Sequence, residues 1–77
     1  MGAVDFAVVG EVAVVRLSEE MDLADCPVLD RRLRGAGLAV VVDLTEVTLM
    51  SATVLGVLIA HTERLAAEGG RLVVEPR

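Results

Sequence analysis

Residues 38 to 42 read Leu-Ala-Val-Val-Val and end against Asp43 and Leu44. An apolar run this short suits a strand covered on both faces, the environment of a central strand in a parallel or mixed sheet. The remaining chain must supply the partner strands and the covering helices, and its punctuation shows where they lie. Val4, Phe6 and Val8 alternate with Asp5 and Ala7 at the period of a strand with one buried face. Gly10 and Glu11 mark a tight turn into a valine-rich run over residues 12 to 17, which predicts an antiparallel hairpin. After an acidic segment, Asp25, Cys26 and Pro27 open a short helix: Asp25 can accept from an orphan amide and Pro27 loses nothing in the first turn. Val28, Leu29 and Leu33 are its apolar positions, Arg31, Arg32 and Arg34 its polar side, and Gly35 and Gly37 stop it. Residues 45 to 51 read as a connecting loop. Residues 52 to 68 have helical period, with Leu55, Leu58, Ile59, Thr62, Leu65 and Ala66 as the expected buried stripe. Gly69 and Gly70 cap that helix before a last strand over residues 71 to 75. The order β-β-α-β-α-β predicts an α/β fold: a four-stranded mixed sheet with two helices packed on it and right-handed crossovers.

Length limits this to one domain, residues 1 to 77, with a single core. A hydrophobic share of 55% excludes disorder despite a net charge of −5. Cys26 has no disulfide partner, and with His61 as the only histidine no zinc set exists, so neither metal nor cofactor is implied and a reducing, cytoplasmic setting fits. Residues 1 to 10 lack the basic start and apolar run of a signal peptide. The apolar stretch from 38 to 60 is broken by Asp43 and Glu46, which argues against membrane insertion. Seven basic residues, all arginine, face twelve acidic ones, so the electrostatic footprint of a nucleic-acid binder is absent. There is no nucleophile with a base at plausible spacing, no phosphate-cradling loop and no carboxylate pair with an evident cleft, which predicts no catalysis.

Residues 40 to 57, VVVDLTEVTLMSATVLGV, resemble the STAS domain of bacterial anti-sigma-factor antagonists. In that family a buried strand ending in Asp-Leu leads through a loop to Met-Asp-Ser-Ser/Thr-Gly-Leu-Gly-Val at the opening of a helix. Residues 17 to 22 look like the family's Leu-Thr-Gly-Glu-Leu-Asp, residues 24 to 33 like its Ala-Pro-x-Leu helix start, and residues 69 to 72 like its Gly-Gly turn into a strand. The resemblance implies a partner-switching module that binds a kinase-type anti-sigma factor and is released by phosphorylation of a serine at the start of the second helix. It also implies that Asp22, Ser51, Ala52, Thr53, Val54, Gly56 and Val57 form the partner-binding region.

The sequence departs from the motif at its reactive position. Aligned without gaps, the family's phosphorylated serine falls on Ala52, which has no hydroxyl, while Leu55 and Gly56 match. Ser51 and Thr53 are the substitute acceptors. Against that role, Ser51 is a good helix cap and a threonine in a first turn needs no function. Asp22 with Glu19, Glu20 and Asp25 forms an acidic group that the resemblance places beside the second helix. Asp43 is expected to orient the Ser51 loop through hydrogen bonds. Val54, Val57 and Ala60 fall off the expected stripe, so the first half of the second helix is apolar nearly all round, and such a helix is either buried twice or presents a contact patch. The alternative to an anti-sigma-factor antagonist is a structural STAS subunit, a homo-oligomer or an accessory protein of a transport system, with Val57 at the contact.

Overall fold

β1 (Ala3–Val9) and β2 (Val12–Met21) form the hairpin. A short 3-10 turn (Leu23–Asp25) leads into α1 (Cys26–Arg34), followed by β3 (Ala39–Met50), α2 (Ala52–Ala67) and β4 (Arg71–Glu75). The computed structural model describes residues 1–76. The sheet order is β1-β2-β3-β4, antiparallel between the first two strands and parallel thereafter, so α1 and α2 are the crossovers. This is the four-stranded mixed sheet with two helices that the element order predicts.

Alternation along the strands sets the core. Val15 and Leu17 of β2, Val40 and Val42 of β3 and Leu72 of β4 point to one side and join Leu29 and Leu33 of α1 with Val54, Leu58 and Leu65 of α2 in a single buried cluster. Both helices therefore lie on the same face. The end of α2 is closed by a double hydrogen bond in which Gly69 donates to Ala66 (3.3 Å) and Gly70 to Leu65 (2.7 Å), with Gly69 at φ 79°, a conformation that opposes a side chain. Gly70 has a different reason to be glycine: a Cβ there would sit 2.5 Å from the Leu38 carbonyl oxygen, which accepts the Arg71 N–H that starts β4.

Three expectations are corrected. Residues 45 to 51 are not a loop: β3 continues to Met50 because β2 also runs on, to Met21, and the strands pair at Ser18–Glu46, Glu19–Val47, Glu20–Leu49 and Met21–Met50. Two register shifts accommodate this extension, with Glu19 at φ 64°. The buried face of α2 is also rotated. Val54, Leu58, His61 and Leu65 are buried, whereas Leu55 and Ile59 are 49% and 53% exposed. An apolar surface on all sides leaves the phase of the helix undetermined until α1 and the sheet select a side. Finally, β3 is covered on one face only, and Ala39 and Val41 are half-exposed on the other.

Candidate functional site

β2 and β3 end side by side, and both of their continuations meet at the mouth of α2. The Ser51 N–H donates to the Met21 carbonyl at 2.9 Å, tying the start of the helix to the end of β2. Ser51 adopts the extended backbone of an N-cap, and its hydroxyl accepts from the Val54 N–H at 3.4 Å. Ala52 and Thr53 follow, both exposed in the first turn. On the other side of the Met21–Ser51 bond, exposed Asp22 caps the 3-10 turn by accepting from the Ala24 N–H at 3.0 Å. Asp22, Ser51, Ala52 and Thr53 thus share one end of the molecule.

Val54 does not share it. Its side chain is fully buried in the core, and Val57 packs partly against the same core. Neither lies off the buried side of α2, and the surface of this stretch is left to Thr53, Leu55 and Gly56. Asp25, expected as the cap of α1, makes no such bond. Its carboxylate turns back to accept from the Asp22 N–H at 2.9 Å and the Gly2 N–H at 3.2 Å, fastening the amino terminus to the entry of α1. Asp43 does not reach Ser51 either. It accepts from the Thr45 hydroxyl (2.6 Å) and N–H (2.8 Å) and from Arg16 Nε (3.2 Å), and the Thr45 bonds above all hold its carboxyl below the ordinary value.

The Asp22 N–H holds the Asp25 carboxyl below its ordinary value, against burial and with help from Gly2. A carboxylate with a depressed folded-state pKa adds stability that is complete above the unfolded value, about 3.9, and is lost as pH falls through the folded value. Asp25→Asn is expected to lower stability at neutral pH and to flatten the loss of stability in acid below about pH 4. Urea midpoints measured against pH test this, and an acid limb as steep as the parent's would contradict it.

A second cluster, which the sequence does not announce, joins α1 to α2. Buried His61 donates from Nε2 to Asp30 Oδ1 at 2.7 Å, and its Nδ1 accepts from Arg64 Nε at 3.2 Å. Asp30 also accepts from Arg34 at 2.9 Å, and its carboxyl lies below the ordinary value because of His61 first and Arg34 second. These residues line one end of a shallow groove whose other end is formed by Thr53, Gly56 and Val57. His61, the one histidine of the sequence, is a packed residue satisfied on both nitrogens.

Among the described residues no helix is long and apolar enough to cross a membrane. The chain matches the family model described as Mlab, STAS domain, over residues 4–76. Its fold is similar to that of the anti-sigma factor antagonist SpoIIAA of Bacillus in its unphosphorylated form, with a TM-score of 0.82 at 20% identity over 94% of this chain and 71% of that one. It is similar to an anti-sigma factor antagonist from Mycobacterium paratuberculosis, with a TM-score of 0.79 at 26% identity over 96% and 68% of the two chains. It also resembles part of the larger protein Mglu, with a TM-score of 0.84 at 18% identity over 95% of this chain and 19% of that one. No curated protein sequence matches the chain significantly. With nearly its whole length matched by the family model and the sheet and crossovers of the solved antagonists in place, the chain belongs to the STAS domain family.

Proposed function

We propose that the chain is a non-catalytic binding module, an anti-sigma-factor antagonist-like regulator of transcription that engages a kinase-type anti-sigma factor without the usual serine phosphorylation switch. The contact surface is the end of the molecule carrying Asp22, Ser51, Ala52 and Thr53, continued by Gly56 and the exposed part of Val57. Buried Val54 supports that surface from below. The observation carrying this reading is the exposed methyl of Ala52 at the first position of α2, where the family motif has its acceptor serine. Such a regulator would stay bound whatever the kinase does.

Gly56 fits the same reading. It lies exposed inside α2, where glycine costs about 1 kcal/mol relative to alanine, and a Cβ there would meet nothing within 4 Å among the described residues. Packing within the chain does not explain it, whereas close approach of a partner does. Gly56→Ala is expected to raise stability by about 0.5–1 kcal/mol while weakening partner binding, and unchanged binding would remove Gly56 from the contact.

The direct test is co-purification with the tagged chain, mass identification of what binds, and addition of ATP and magnesium to the complex. The reading expects a 1:1 complex with an anti-sigma kinase that persists. Recovery of a transport complex instead would favour the alternative of a permanently assembled STAS subunit, a role that the missing hydroxyl suits equally.

A further inference from the structure

Among the described residues, no helix lies on the second face of the sheet. The strand register places Ala7 beside Val14, Val14 beside Val41 and Val41 beside Val73, an unbroken apolar row across all four strands. Val9 and Val12, paired with each other, and Ala39 extend it on one side. On the other side the register aligns Asp5, Arg16, Asp43 and Glu75 in a charged row. Val9 is 66% and Val73 42% exposed. Parallel strands that are apolar on both sides occur where both sides are covered. Here α1 and α2 cover only one.

We propose that this face is covered by the same face of a second copy. The charges select that occupant. On β4, Arg71 and Glu75 sit two residues to either side of Val73, point to the bare face, and have no ion-pair partner among the described residues. A two-fold axis along the apolar row lays each strand antiparallel over its own counterpart, as in an aligned sandwich. Val14, Val41 and Val73 then meet their own copies. Arg71 faces the partner's Glu75 with the partner's Asp43 alongside, and the symmetry repeats the pairing at the other end. Arg16 keeps its bond to Asp43 and lays its stem over the partner's Val12. The footprint, four strands about 4.8 Å apart and five residues at about 3.3 Å each, is roughly 300 Å² per copy in projection, below the size of a standard specific interface, so association is weak and depends on concentration.

The test is sedimentation or light scattering of the full chain from about 10 μM to about 0.5 mM, a range that brackets a weak interface. The expected mass rises from 8.1 kDa toward twice that value. Arg71→Glu and Glu75→Arg, both at exposed positions and checked for folding by circular dichroism, should each shift the association midpoint upward at least tenfold. Mixed in equal amounts they should associate again, because each supplies the charge that the other lost. A parent chain that stays monomeric throughout, single variants that associate like the parent, or a mixture that does not recover would each overturn the proposal.

Discussion

Leu65→Ala is expected to leave most of the chain unfolded in water at 25 °C. Leu65 is fully buried where α2 meets the sheet, and its carbonyl accepts the Gly70 N–H that turns the chain into β4. Truncating a buried leucine costs about 2–5 kcal/mol, because the apolar contact is lost and the cavity left behind closes only in part. A single core of this size supplies only about 3–5 kcal/mol in all. The loss therefore matches the whole margin. Ile59→Ala, six residues earlier on the exposed side of the same helix, should cost well under half as much. Urea titrations followed by circular dichroism check both, and a cooperative transition for Leu65→Ala near the parent midpoint would show that the core is not organised around this contact.

Ala52→Ser should install a phosphorylation switch by supplying the hydroxyl that the parent lacks at this position. The serine hydroxyl would stand exposed in the first turn of α2, next to the capping Ser51 and at the same end as Asp22. A phosphate there suits the helix itself, since the amino-terminal amides carry partial positive charge. It does not suit an interface: a group of nearly two negative charges must be stripped of water and held near Asp22. Like-charge contact in an interface costs several kcal/mol, so the proposed kinase complex should weaken at least about tenfold once ATP is added. Without ATP the variant should bind as the parent does. Mass spectrometry of parent and variant after incubation supplies the control. Phosphate on Ser51 or Thr53 of the parent would mean that the acceptor had moved rather than disappeared, and unaltered affinity of phosphorylated Ala52→Ser would take the α2 mouth out of the contact.

The elements that were legible in the sequence are those with local chemical punctuation. The turn at Gly10, Pro27 at the start of α1 and the Gly69–Gly70 pair each permit few backbone conformations, and the observed strands and helices begin or end at them. The far half of β3 carries no such mark. Whether residues 45 to 50 form a strand depends on β2 extending through its acidic end with Glu19 in a left-handed conformation, an arrangement made only by pairing. Asp25 shows the same limit at the scale of one side chain. Its residue type suggested a cap for α1, but its carboxylate accepts instead from the Asp22 and Gly2 amides, partners that depend on where the amino terminus comes to lie.

By itself the sequence determined the element order, the mixed sheet, the family resemblance and the presence of alanine where the motif carries serine. Each of these is a property of residue identity and spacing, and folding cannot change it. Only the tertiary structure decided that Val54 belongs to the core, that His61 binds Asp30 thirty-one residues away, and that among the described residues no helix covers one side of an apolar sheet. A helix that is apolar all round and a strand that is apolar on both faces hold no internal record of which side is covered. That choice is made by the packing of the other elements.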